Sequence, residues 1–167
     1  INNVTVPDDA SDQVFFAGDL WSNNCSITSS PVTIASLDIN RYYTGTLTLG
    51  QALTAAGDVN IGSGVITHPA HPAGYNGVTP LYTVDISAQN FTLSSGASIN
   101  VGGCGYAAEK GPGAGVGWGA GGSHGGLGTT TGTTYGYIKE PVDIGSGGFL
   151  TKGGGAVKLT VTGSSVI

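Results

Sequence analysis

Apolar side chains recur at every second position in short runs along this chain. Val32-Thr33-Ile34, Leu37-Asp38-Ile39, Thr46-Leu47-Thr48-Leu49, Val59-Asn60-Ile61, Val65-Ile66-Thr67, Val84-Asp85-Ile86, Phe91-Thr92-Leu93, Ile99-Asn100-Val101 and Val157-Lys158-Leu159-Thr160-Val161 all follow this pattern. Each run puts its apolar residues on one face and Thr, Asn, Asp or Lys on the other, the signature of half-buried strands. No long stretch repeats apolar residues at helical spacing without meeting Gly, Pro or a β-branched cluster, so an all-β fold is expected.

The runs are separated by small-residue segments, among them Leu49-Gly50-Gln51, Ala56-Gly57-Asp58, Gly62-Ser63-Gly64 and Ser95-Gly96-Ala97. These lack the Asn-Gly and Asp-Gly pairs that favour two-residue hairpins, and a coiled β-solenoid fits them better than a meander. In a parallel β-helix each strand pairs with its equivalent one coil away, and the inward residues stack into aliphatic ladders. A β-sandwich is the alternative. The reading assigns residues 1–101 to the coils, 102–155 to a glycine-rich loop region packed on the same domain, and 156–167 to a terminal strand.

The glycine-rich region holds 21 of the 31 glycines. Long loops and laterally bonded polyglycine segments both fit that composition, and long ordered loops folded against the β scaffold are the expected arrangement. Tyr106, Trp118, Tyr135, Tyr137 and Phe149 argue for order, because disordered glycine tracts are poor in aromatics.

Charge narrows the function classes. Only 9% of the 167 residues are charged, with five Lys plus Arg against ten Asp plus Glu and a formal net charge of −5. The five cations, Arg41, Lys110, Lys139, Lys152 and Lys158, form no basic stripe, so nucleic acid is not an expected partner. No apolar run reaches the about 18 residues that span a bilayer, and membrane insertion is not expected. A polar complement built from Ser, Thr, Asn and Gly, where average charged usage is roughly 25%, points to an extracellular or cell-surface protein. Ile1 in place of a start methionine, without the charged and apolar regions of a signal peptide, leads us to expect a processed product or a piece of a longer chain.

Two stretches resemble secreted and surface-exposed bacterial proteins with right-handed parallel β-helix regions, of the autotransporter-passenger and adhesin kind. The first runs from Val6-Pro7-Asp8-Asp9 through Asn24-Cys25-Ser26-Ile27-Thr28 to Tyr43-Thr44-Gly45-Thr46-Leu47-Thr48-Leu49. The second runs from Gly96-Ala97-Ser98-Ile99-Asn100-Val101 through Gly121-Gly122-Ser123-His124-Gly125-Gly126 and Gly145-Ser146-Gly147-Gly148 to Gly153-Gly154-Gly155-Ala156-Val157. The resemblance implies a right-handed solenoid and a surface location, and it specifies no activity.

Candidate chemistry is sparse. A polysaccharide lyase or hydrolase would need acids gathered on one face with a cation, or two carboxylates across a glycosidic bond. Asp38, Asp58 and Asp85 could share an outward face, with Arg41 as the lone Arg, but solvating charges on a β surface are the simpler reading. No catalytic residue is assigned. His68-Pro69-Ala70-His71, with Cys25, Cys104 and His124, offers zinc-type ligands without zinc-type spacing, and neither a metal nor another cofactor is expected. The G-x-G-x-x-G at Gly117, Gly119 and Gly122 is a by-product of glycine richness. Cys25 and Cys104 could form a disulfide in an oxidising compartment or remain as buried thiols. Asn3, Asn24 and Asn90 stand in N-glycosylation sequons.

These readings converge on an extracellular structural or adhesive module, a filament subunit if strand addition joins its copies. The candidate assembly strands carry Val4, Val6, Val157, Leu159 and Val161, and the expected partners are copies of itself or neighbouring domains of a longer chain. The alternative is a carbohydrate-binding module, in which Tyr106, Trp118, Tyr135 and Tyr137 stack on surface polysaccharide.

Overall fold

A computed structural model of the chain describes residues 9–17, 23–128, 132–137, 139 and 142–167. Its strands are β1 (Gln13–Phe16), β2 (Cys25–Ile27), β3 (Val32–Ile34), β4 (Ser36–Ile39), β5 (Thr46–Leu49), β6 (Leu53–Ala55), β7 (Asp58–Thr67), β8 (Val84–Ala88), β9 (Asn90–Ile99), β10 (Val157–Val161) and β11 (Ser165–Val166). A seven-stranded sheet runs in the order β1-β4-β7-β5-β2, with β9 pairing both β7 and β11, and a four-stranded sheet runs β10-β8-β6-β3.

The expectation of a right-handed parallel β-helix is corrected by this topology. The strands make two all-parallel sheets joined by loops, without closing or curling into a solenoid. The sandwich alternative falls as well, because its antiparallel pairing is absent among the described strands. The physical reason lies in two small-residue segments read as turns. Gly62-Ser63-Gly64 lies inside β7 and Ser95-Gly96-Ala97 inside β9, so each pair of expected short strands is one strand of ten residues. The chain stays extended there through a bulge: the β7–β9 register shifts between Ile61 and Ser63. Ser63 Oγ donates to the Asn40 carbonyl at 2.9 Å, and Gly64 takes a left-handed φ of 80°. A Cβ at Gly64 would sit 2.8 Å from the Tyr43 ring, so glycine is required both by conformation and by space.

The chain divides into two compact units. The first comprises Ile1–Thr67, Val84–Asn100 and Leu159–Ile167. Its core is built from parallel ladders. Val14, Leu37, Val59 and Phe91 pair in succession, as do Phe16, Ile39, Ile61 and Leu93. Cys25, Leu47, Ile66 and Ile99 form a third row, and Val32, Leu53 and Ile86 a row in the smaller sheet. Tyr43 caps one side, its ring edge-on to Phe16 at 5.3 Å and its hydroxyl donating to the Asn23 carbonyl at 2.7 Å. Burial pushes the Tyr43 phenol upward.

The second unit comprises His68–Thr83 and Val101–Lys158. Here extended glycine segments bond laterally through their backbones. Gly105 N–H donates to the Gly153 carbonyl at 2.9 Å, Tyr106 N–H to Gly145 at 3.0 Å, Gly145 N–H to Gly154 at 2.8 Å and Gly115 N–H to Gly147 at 2.9 Å. The expectation of long loops folded on the scaffold is corrected here: the segments bond laterally, because without side chains their backbones approach closely enough to pair. Side chains would destroy it: a Cβ on Gly153 would overlap the Gly145 carbonyl oxygen, and one on Gly147 the Ala107 carbonyl. Tyr106, Ile144 and Ala156 form a small buried cluster, with Tyr75 packed against it.

Candidate functional site

The four aromatic residues read as carbohydrate platforms have different environments. Tyr106 is buried, stacks on Tyr75 at 5.8 Å, and donates its hydroxyl to the Gly77 carbonyl at 2.5 Å. Burial, with Tyr135, Tyr75 and Asp143 adding to it, pushes its phenol up to about 12. Tyr135 donates to the Ile144 carbonyl at 2.6 Å and accepts from Ser146 Oγ at 2.8 Å, while Ser146 Oγ accepts from Gly113 N–H at 2.9 Å. Burial raises the Tyr135 phenol, and the Ser146 hydrogen bonds offset part of that rise. These two rings hold glycine segments together. Trp118 is 91% exposed and lies 5.8 Å from Phe149, a pairing that no spacing in the chain foretells. Tyr137 is also exposed.

The histidines of His68-Pro69-Ala70-His71 are buried and engaged with backbone. His68 Nδ1 lies 2.8 Å from the Pro69 carbonyl, and its Nε2 accepts from Ala156 N–H at 3.3 Å. His71 repeats the pattern, with Nδ1 2.8 Å from the Cys104 carbonyl and Nε2 accepting from Leu81 N–H at 2.9 Å. One nitrogen facing a carbonyl and the other an N–H defines the neutral Nδ1–H tautomer. Burial lowers the His68 pKa; the Pro69 bond works against that shift and His71 reinforces it. Both rings therefore tie loops together, and no group of three metal-ligating side chains occurs among the described residues. His124 Nε2 lies 3.3 Å from the Asp143 carbonyl, and its ring packs on Tyr135 at 4.7 Å.

The two cysteines are not bridged. Cys25 is an exposed thiol on β2, and the Cys104 thiol donates to the His68 carbonyl at 3.4 Å. Among the sequons, Asn3 lies outside the described residues, as do the assembly candidates Val4 and Val6. Asn24 is exposed, and its Oδ1 accepts from Thr46 N–H at 2.9 Å. Asn90 is a clamp between strands: Nδ2 donates to Asp58 Oδ1 at 2.7 Å, and Oδ1 accepts from Ser164 N–H at 2.9 Å. A sugar on that nitrogen would replace one of its two hydrogens and crowd the Asp58 bond.

Asp38 and Asp58 line one groove on the first unit together with Gln13, Asn60 and Gln89, whereas Asp85 and Arg41 are not among its lining residues. Arg41 instead lies over the Tyr42 ring at 4.7 Å and donates to its hydroxyl at 2.7 Å. The acids and the cation that polysaccharide chemistry would combine are thus not gathered there.

The remaining candidates, Val157, Leu159 and Val161, all lie on β10, an edge of the four-stranded sheet. Burial falls toward most of the sheet edges, although Ile34 on edge strand β3 is 1% exposed. Along the first ladder Val14 is half-buried, Leu37, Val59 and Phe91 are 2%, 0% and 1% exposed, and the row ends at exposed Ser165. The third row begins at exposed Cys25, passes through buried Leu47 and Ile66, and ends at half-buried Ile99. On β10, Leu159 and Val161 are half-buried, and Val166 of β11 is exposed.

Comparison of the chain with protein-family models, curated proteins and solved structures finds no match. Functional inference therefore rests on the chain's own geometry.

Proposed function

We propose that this chain is an extracellular structural or adhesive module whose open sheet edges accept a further parallel strand, from a copy of itself or from a neighbouring part of a longer protein. The observation that carries the reading is the burial gradient along the ladders. Rows that are fully covered in the middle become half-covered at Val14 and Phe16 on β1, at Val32 on β3 and at Leu159 and Val161 on β10, while Ile34 on β3 stays buried. Strands at a sheet's edge are the ones to which a further strand can be added. Parallel pairing gives the two edges of each sheet the same chain direction, so head-to-tail addition preserves register. The low-charge Thr, Ser and Asn surface supports the extracellular setting. Electron microscopy of dilute native material tests the proposal. Regular fibres or end-to-end chains are expected, and only dispersed single particles at every concentration would overturn it.

A carbohydrate-binding role has one specific observation in its favour, the Trp118 ring exposed beside Phe149. If that ring is a platform, Trp118→Ala abolishes glycan binding and leaves the melting temperature in place. Unchanged glycan binding in that variant would remove the reading.

A further inference from the structure

We infer that the groove over the corner between β3 and β4, continuing past β7, is a binding site for a neutral, unbranched oligosaccharide. It is an open groove of about 400 Å³ lined by Gln13, Asp38, Asp58, Asn60 and Gln89. The floor explains why it exists. Ala35 and Gly57 occupy successive rungs of the backbone ladder, with Gly57 N–H donating to the Ala35 carbonyl at 2.8 Å and Gln89 N–H to Gly57 at 2.9 Å. These small residues leave a depression between longer polar side chains, and a Cβ on Gly57 would approach the Ala35 carbonyl at 3.1 Å.

The lining then selects the ligand. Two carboxylates and three carboxamides offer paired acceptors and donors suited to vicinal hydroxyls. No Lys or Arg lines the groove, so nothing there would neutralise a phosphate, sulfate or uronate, and Asp38 and Asp58 would repel one. Asp58 is held in place by the Asn90 amide at 2.7 Å. Asp38 and Asn60 are register partners, so their side chains project from adjacent strands about 4.8 Å apart, a spacing commensurate with one pyranose ring. Phe15 does not line the groove but flanks it, and offers an apolar face there. It is 62% exposed, is the register partner of Asp38, and shares the outward side of β1 with Gln13. An aromatic ring beside hydrogen-bonding side chains is what a sugar demands, since its C–H face is apolar and its rim polar. This site is distinct from the Trp118 ring and does not depend on strand addition.

The test is an NMR titration of the ¹⁵N-labelled chain with linear glucose pentasaccharides of β-1,4, β-1,3 and α-1,4 linkage, with an oligogalacturonate, and with calcium chloride alone. At least one neutral sugar is expected to shift the amides of Gln13, Asp38, Asn60 and Gln89, with the uronate weaker by about tenfold or more. Phe15→Ala should weaken that binding about fivefold, and Trp118→Ala should leave it unchanged. Phe15 is mainly solvent-exposed, so its variant keeps the fold, which its spectrum verifies. The inference is overturned if no neutral sugar perturbs those amides, if calcium alone shifts them while the sugars do not, if Phe15→Ala leaves the affinity unchanged, or if Trp118→Ala abolishes the binding.

Discussion

Substitution along a single ladder measures how far cover extends toward the sheet edge. Val14 and Leu37 are register partners with the same inward direction, yet Leu37 is 2% exposed and Val14 half-buried. Leu37→Ala removes three carbons from a site enclosed by strands on both sides and should cost about 3 kcal/mol. For a chain of this size that is a fall in Tm of about 6–12 °C. Val14→Ala removes two carbons from a site open on one side; at about 0.8 kcal/mol per fully buried carbon, half cover gives about 1 kcal/mol. Urea unfolding of both variants at low protein concentration reads the difference. Repeating it at high concentration adds the decisive comparison, because a strand laid over β1 would complete the burial of Val14 and roughly double its cost. Equal costs for the two variants at low concentration, or a Leu37→Ala cost under about 1 kcal/mol, would refute the reasoning.

Three further outcomes follow from the geometry. Gly153→Ala forces a methyl into the Gly145 carbonyl and should cost about 3 kcal/mol or more, whereas Gly154→Ala, with open space around its Cβ position, should stay within about 0.5 kcal/mol; thermal unfolding of the pair checks this. His68 has a folded-state pKa below its ordinary 6.5, so the unfolded chain binds more protons below that pH. Stability should therefore be complete above about pH 6.5 and decline by up to about 1.4 kcal/mol per pH unit as acid carries the site down through its folded value. Denaturant midpoints at pH 7.5 and pH 5 test the sign, and His68→Gln should flatten the dependence. Asn90→Ala removes the bonds to Asp58 and Ser164, and should cost about 1–2 kcal/mol and speed hydrogen exchange at the Ser164 amide.

The strand positions were legible because period-two alternation reports burial directly: Val32–Ile34, Thr46–Leu49 and Val157–Val161 are strands. The architecture was not. Gly-Ser-Gly at positions 62–64 reads locally as a turn, whereas pairing with β9 and the bonds from Ser63 Oγ to the Asn40 and Tyr43 carbonyls keep it in β7. Loops were the expected arrangement of the glycine-rich region and lateral packing the other, since composition carries no record of which carbonyl each N–H will meet. At the candidate sites, Trp118 and Tyr106 look alike in sequence, each set among glycines, but one is exposed and the other buried. The difference arises from the loop carrying Tyr75 and Gly77, which covers Tyr106 from about thirty residues upstream. Phe15, which flanks the groove, did carry a signal, standing outward in Gln13-Val14-Phe15-Phe16, and its place beside Asp38 appeared only once β1 and β4 were paired.

Sedimentation velocity over a wide range of protein concentration, on the chain and on Leu159→Lys, tests the central claim most directly. The account predicts concentration-dependent, end-to-end growth in the chain and its loss when a lysine occupies the inward side of the β10 edge. A single sedimenting species of monomer mass at every concentration, or growth that Leu159→Lys leaves intact, would contradict it.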